Sequence, residues 1–276
     1  MHFLETDIKD FYMTDFVFID SGVGGIPYMT ALLQKEPNAS CVYVADNANF
    51  PYGEKTHEQV VACVVSLVQK IIEKFSPKVI VVACNTISVN ALETLRQKFP
   101  EVLFVGTVPA IKLAASVSKN KCIGLLATRA TCDNPYNIEL KNKFAADCTL
   151  ICRADGNLVS YIEENGFTAT QTELEQAVRP AIDFFASKGC DAVILGCTHF
   201  LNIKDVFEKV ALRQAQGPQD CIKIVDSVDG VVRHAISISE VQPKTRGQAS
   251  LYITGEENPS YKIACSTKNI TFGGKI

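Results

Sequence analysis

The chain has 276 residues, of which 47% are hydrophobic and 21% charged, with a formal net charge of −3. That length carries one large or two modest domains, and that charge gives no reason to expect nucleic acid or an anionic membrane as a partner. No apolar run approaches the roughly 20 residues that span a bilayer, and the opening MHFLETDIKD lacks the apolar core of a secretory signal.

Residues 1–14 read as a loose polar extension. DFVFID (15–20) reads as a strand running into Asp20-Ser21-Gly22-Val23-Gly24-Gly25, with helical spacing behind it in IPYMTALLQKE. A strand, a glycine turn and a helix point amide N–H groups into a crevice. The turn stays open to three readings: a carboxylate-binding loop with Asp20 as a polar helper, an ordinary tight turn, or a nucleotide phosphate loop. CVYVADNANFPYGEK (41–55) is a second strand, with Pro51-Tyr52-Gly53 as a turn on the same rim. Val60, Val64, Leu67, Val68 and Ile71 recur at helical spacing and predict a crossover helix over 57–75. VIVVACNT (79–86) is a third strand, carrying Cys84, Asn85 and Thr86 to the rim, and a helix follows from about 88 to 98.

VLFVGTVPA (102–110) is a strand whose terminal turn crosses to a second half. KCIGLLAT (121–128) opens that half, and its end, through Thr131, lies where Asp20-Ser21 lies in the first. A helix is expected over 173–188, capped by Gly189. CDAVILGCTH (190–199) then delivers Cys197, Thr198 and His199. Residues 211–220 read as a polar surface loop, 221–230 as strand then turn, 229–238 as a helix, 241–248 as a loop and ASLYITGE as a last strand, with the final STKNITFGGKI peripheral. The alternation of strands and helices predicts an α/β fold of two pseudo-symmetric domains, each a mostly parallel sheet flanked by helices. Residues 1–107 plus 226–276 are expected to form one domain and 108–225 the other. Ligands sit at the carboxyl ends of such strands, here in the cleft between the domains.

Eleven cysteines, an odd number without a CxxC pair, favour free thiols in a reducing cytoplasm over a disulfide framework. Most read as small buried hydrophobes. Cys84 and Cys197 differ: each ends an aliphatic strand at a turn into a helix, where a thiol can be activated, and each is followed by two polar residues. A redox dithiol would be a CxxC, and the four histidines form no ligand cluster with short spacings, so no metal is expected. Two like bases, one on each face of a carbon, suit inversion of a stereocentre. His199 reads either as a structural histidine or as a group that tunes the thiol or holds a substrate anion. Ser21, Asn85, Thr86, Thr131 and Thr198 are each ordinary turn or cap residues alone, and together on one rim suit an amino acid's carboxylates and ammonium.

DSGVGG, PYGEK, ACNT, GTVPA, LLATRAT with Tyr136 downstream, LGCTH and LYITGEENPSYKIA, in this order, resemble the signatures of the glutamate racemases of the aspartate/glutamate racemase superfamily, over roughly residues 15–265. The resemblance implies a cofactor-independent isomerase in which Cys84 and Cys197 are the acid/base thiols, Cys84 acting on the D- and Cys197 on the L-enantiomer. It implies substrate contacts from Asp20, Ser21, Tyr52, Gly53, Asn85, Thr86, Thr131, Thr198 and His199, with Asp20 assisting Cys84 and His199 assisting Cys197. It further implies glutamate as substrate, a homodimer, and a bacterial cytoplasmic role in peptidoglycan synthesis. A proline usual in the family after the GCTH aromatic is missing, since Leu201-Asn202 follow Phe200. One rival is a racemase for aspartate or a related amino acid. Another is a nucleotide-binding protein using SGVGG, although no GK[ST] follows the glycines.

Overall fold

The computed structural model describes residues 14–214, 221–239 and 247–276. The expected N-terminal extension up to residue 13, and most of the expected loops at 211–220 and 241–248, lie outside the described residues. Among them, ten strands form two sheets in which every pairing is parallel. The chain builds β1 (Phe16–Asp20), β2 (Cys41–Ala45), β3 (Val79–Val82) and β4 (Leu103–Gly106) in one sheet. It crosses over for β5 (Cys122–Ala127), β6 (Thr149–Ala154), β7 (Ala192–Leu195) and β8 (Lys223–Val225). It then returns to the first sheet with β9 (Ala249–Ile253) and β10 (Thr271–Lys275). The orders are β10-β9-β2-β1-β3-β4 and β6-β5-β7-β8, so the four-strand pattern 2-1-3-4 occurs twice. The expected α/β class with pseudo-symmetric parallel sheets is what the chain adopts.

Strand alternation sorts the core. Val17, Ile19, Ile80 and Val82 face one side of the first sheet, under helices His57–Phe75 and Asn85–Lys98. Phe16, Phe18, Tyr43 and Val81 face the other, in a core continuous with Leu126, Val193 and Leu195 of the second sheet. Ile123, Leu125 and Ile194 point away from that shared core, against Ile111 and Leu140. Register then lines up the strand ends: Asp20 stands opposite Ala45, Ile19 opposite Val82, and Leu126 opposite Leu195. The turns carrying Cys84 and Cys197 therefore leave corresponding third strands, β3 and β7, at the ends nearest the cleft.

Three details differ from the sequence reading. The stretch read as the start of a loop at 211 is the end of helix Lys204–Gln214, because Val206, Phe207, Val210 and Ala211 bury one helical face. Helix Asn85–Lys98 begins directly after Cys84, three residues before the expected start. The C-terminal residues read as peripheral carry regular structure: helix Pro259–Lys268 leads into β10, which adds an edge strand to the first sheet, and Ile276 N donates to Ile253 O at 2.9 Å.

Gly124, in the middle of β5, shows how closely the helix Gln171–Ser187 packs. A Cβ there would lie 2.5 Å from the fully buried ring of Phe185. Gly124→Ala should cost about 1–3 kcal/mol by overpacking, read as a lower urea midpoint with an unchanged denaturant slope.

Candidate active site

Cys84 is the N-cap of helix Asn85–Lys98, and Cys197 holds the same place before the short turn Thr198–Ile203 that feeds helix Lys204–Gln214. Both sulfurs belong to buried residues, 5% and 6% exposed, and both line one small cavity. Of the residues singled out in the sequence, Ser21, Tyr52, Gly53, Asn85, Thr86, Thr198 and His199 line it too. Asp20 and Thr131 do not. Asp20 is fully buried and acts on the cavity wall by accepting from Thr198 Oγ1 at 2.8 Å. Thr131 is fully buried one layer back, accepting from Thr128 Oγ1 at 3.1 Å, and Thr128 itself lines the cavity. Tyr52 presents its ring and donates a hydrogen bond from its hydroxyl to the buried Asp46. Asn85 Oδ1 is buried without a hydrogen-bond partner, an acceptor available to a ligand.

The cavity walls come from both halves. Thr86 Oγ1 and Thr128 Oγ1 are 3.0 Å apart, and a Cβ on Gly53 would lie 2.8 Å from Thr128 Cβ. Sequence reasoning missed Thr128, Phe50 and Val159 in the lining, and also Glu163, which matters more. Glu163 Oε2 accepts from His199 Nε2 at 2.8 Å and from Val23 N at 2.9 Å, and Oε1 accepts from Tyr261 Oη at 2.5 Å. His199 Nδ1 in turn lies 3.7 Å from Cys197 Sγ, and the Phe50 ring tilts against the imidazole.

These contacts decide the charges. Burial works against the Glu163 carboxylate, but the donors His199, Tyr261 and Val23 outweigh it and hold the acid below its ordinary range. Burial also works against a charged imidazole, and the contacts with Cys197 and Glu163 outweigh it, raising His199 well above its ordinary value. His199 and Glu163 therefore form a buried ion pair. Burial pushes the Cys84 thiol well up, the nearby Asp20 adds to this, and the amides of Ile87 and Thr86 oppose it. Asp20 is itself pushed up to about 6 by burial, against the pull of His199.

The glycine turn now has one reading. Gly22 N donates to Asp20 Oδ1, Val23 N to Glu163 and Gly25 N to Tyr43 Oη. A Cβ on Gly22 would run into the Glu163 carboxylate, and one on Gly24 would lie 2.5 Å from Thr198 Oγ1. The glycines make room for the opposing half, and these amides are already taken, so the phosphate-loop reading falls. Asn202, where the proline was missing, donates from Nδ2 to Val23 O at 3.2 Å and so ties the same two segments together.

Such a repeated sheet pattern with paired thiols defines a two-lobed α/β protein with a pseudo-symmetric cleft. Residues 22–235 match the family model described as Asp/Glu/Hydantoin racemase. A glutamate racemase of Treponema pallidum is 40% identical over 244 residues, 87% of each chain. The crystal structure of Escherichia coli glutamate racemase in complex with L-glutamate and the activator UDP-MurNAc-Ala superposes with a TM-score of 0.79 and 29% identity, covering 95% of this chain and 98% of that one. That of the Francisella tularensis glutamate racemase in complex with D-glutamate superposes at 0.76 with 22% identity, over 95% and 96% of the two chains, a likeness of fold. The chain belongs to the aspartate/glutamate racemase family.

Asp20 gives a test of the site's electrostatics. Its folded-state pKa, about 6, lies above the ordinary value of 3.8, so the folded state binds the extra proton and stability falls as pH rises between those values. Asp20→Asn removes this, so the stability of the variant relative to the parent should climb by roughly 2–3 kcal/mol from pH 4 to pH 6.5 in urea titrations. A difference that stays flat with pH would contradict the assignment.

Proposed function

We propose that the chain is a glutamate racemase that interconverts L- and D-glutamate by two-base proton transfer, without a cofactor. One observation carries the reading: thiols from equivalent strands of two different sheets line a single cavity. In the L-to-D direction, Cys197 as thiolate takes the α-proton, leaving the C–H electron pair on carbon. Cys84 as thiol then gives its own proton to the opposite face. The D-to-L direction reverses these roles, and each turnover leaves the proton on the other sulfur. The α-proton is very weakly acidic, so a strong base is needed, and a thiolate in a dry site is a stronger base than one in water. The positive charge of His199 beside Cys197 and the Thr86 and Ile87 amides beside Cys84 stabilise the two sulfurs when charged.

Substrate binding falls to Ser21, Gly53, Asn85, Thr86 and Thr198, with Tyr52 as a wall and Asn85 Oδ1 as an acceptor for the ammonium. Thr131 works through Thr128, and Asp20 through Thr198 and its proximity to Cys84. We also propose that the chain divides into two domains, 1–107 plus 226–276 against 108–225, with the cavity between them. We further propose a cytoplasmic homodimer supplying D-glutamate to peptidoglycan synthesis. A relative at 40% identity that bears the name glutamate racemase, and the Escherichia coli glutamate racemase described in complex with L-glutamate, support glutamate over aspartate.

The test is exchange in heavy water. With L-glutamate and no added cofactor, optical rotation should decay and deuterium should enter the α-position. Cys84→Ala and Cys197→Ala should each slow racemisation by roughly 10²–10⁴-fold. Exchange that ignores both substitutions would reject the mechanism, and faster exchange with aspartate would shift the assignment to an aspartate racemase.

A further inference from the structure

Tyr261 belongs to the helix Pro259–Lys268 of the first half, while Glu163 belongs to helix Gly156–Asn165 of the second. The two meet at the 2.5 Å contact from Tyr261 Oη to Glu163 Oε1. Beyond Glu163 the polar contacts continue through His199 to Cys197 Sγ. No side chain among the described residues makes a comparable contact with Cys84 Sγ; its hydrogen bonds come from the backbone of Ile87 and Thr86. Tyr261 is 1% exposed. Burial, and then the Glu163 charge, hold its phenol far above the ordinary range, so it remains an O–H donor. A Phe at this position would fill the same space, so core packing alone does not call for the hydroxyl.

We propose that Tyr261 is a positioning residue for the Cys197 side of the reaction: its hydroxyl, donating to Glu163, fixes the carboxylate that orients His199 against the sulfur. This rests on the racemase reading above. The unit spans both halves, so opening the cleft would separate Tyr261 from Glu163 and complete the Cys197 side only when the halves are closed. The other charged or titratable groups that reach it are Asp20, Asp46, Tyr43 and Cys197.

Tyr261→Phe removes one of three donors from Glu163 and keeps the ring. A carboxylate with fewer donors takes up a proton at higher pH. The working form carries the Glu163 carboxylate, so the acid limb of kcat/KM should move up by roughly one pH unit. At neutral pH kcat/KM should fall less than tenfold, a modest loss. The α-deuterium isotope effects on kcat should change in opposite senses for L- and D-glutamate, because only one of the two sulfurs is affected. Nitrogen NMR of the His199 ring, 2.8 Å from Glu163, should show the low-pH titration of that carboxylate displaced by the same amount. Tyr261→Leu, which removes ring and hydroxyl, should repeat the displacement and also lower the thermal midpoint. Lost activity with an unmoved acid limb and an unmoved His199 titration would overturn the proposal and leave Tyr261 as packing. If the parent protein exchanges no α-proton of glutamate, the racemase reading fails, while the His199 titration still decides the link from Tyr261 to Glu163.

Discussion

A charged pair buried between two sheets is the constraint on which this molecule turns. Taking an imidazolium and a carboxylate out of water costs several kcal/mol for each ion, and the cost is recovered only when every remaining lone pair and proton finds a partner. Glu163 and His199 meet that condition through segments remote in sequence: the glycine turn supplies Val23 N, the C-terminal helix supplies Tyr261, and His199 spends its second nitrogen on Cys197. To bring these together the backbones must come close, and Gly22 and Gly24 are the positions where a side chain would prevent it. The glycine turn, the GCTH turn and the final helix are thus parts of one electrostatic arrangement, and the cavity lies beside it.

The same burial that makes this pair costly is what the proposed two-base chemistry requires. Solvent would hydrate the thiolates and weaken them as bases. The walls at Phe50, Tyr52 and Val159 exclude it, while the polar groups that remain are fixed: Thr198 is held by Asp20, Tyr52 by Asp46, and Thr86 by Thr128. Fixed dipoles would need no reorganisation as the proposed reaction moves charge from sulfur to carbon and back. Asp46 also accepts from Thr254 Oγ1 at 2.6 Å, so β9, which enters the sheet last, helps to set a wall of the site.

How much of this the sequence reveals depends on where each residue's environment comes from. Runs such as VIVVA and AVILG are buried on both faces, and parallel strands of that kind read directly as aliphatic runs. Cys84 and Cys197 stood out because the pattern occurs twice. The strand TLICRA did not stand out, since it is an edge strand of mixed exposure, and TFGGK hides behind two glycines on the other sheet's edge. Glu163 is the clearest omission. It is one of two adjacent acids in YIEEN on an amphipathic helix, and its local sequence suggests solvent; the approach of the glycine turn, His199 and Tyr261 buries it. The sequence points to Thr131 as a rim donor, whereas the fold puts Thr128 on the wall because it caps the short helix Arg129–Cys132.

The repeated strand order invites the expectation of two identical half-sites, and the chain does not build them. Cys197 faces an imidazolium anchored by a carboxylate, while Cys84 faces helix amides with the Asp20 carboxyl nearby. For a racemase this asymmetry is permitted by thermodynamics. The two enantiomers have equal free energy in water, so kcat/KM must be the same in both directions whatever the residues around each sulfur. What the surroundings can change is the partition of that common value between binding and turnover, and which proton transfer is the slower. A scaffold repeated at the level of strand order therefore leaves each thiol free to be supported by different means. The cationic support lies on the second sheet and the Asp20 carboxyl on the first, facing each other across the cavity they share.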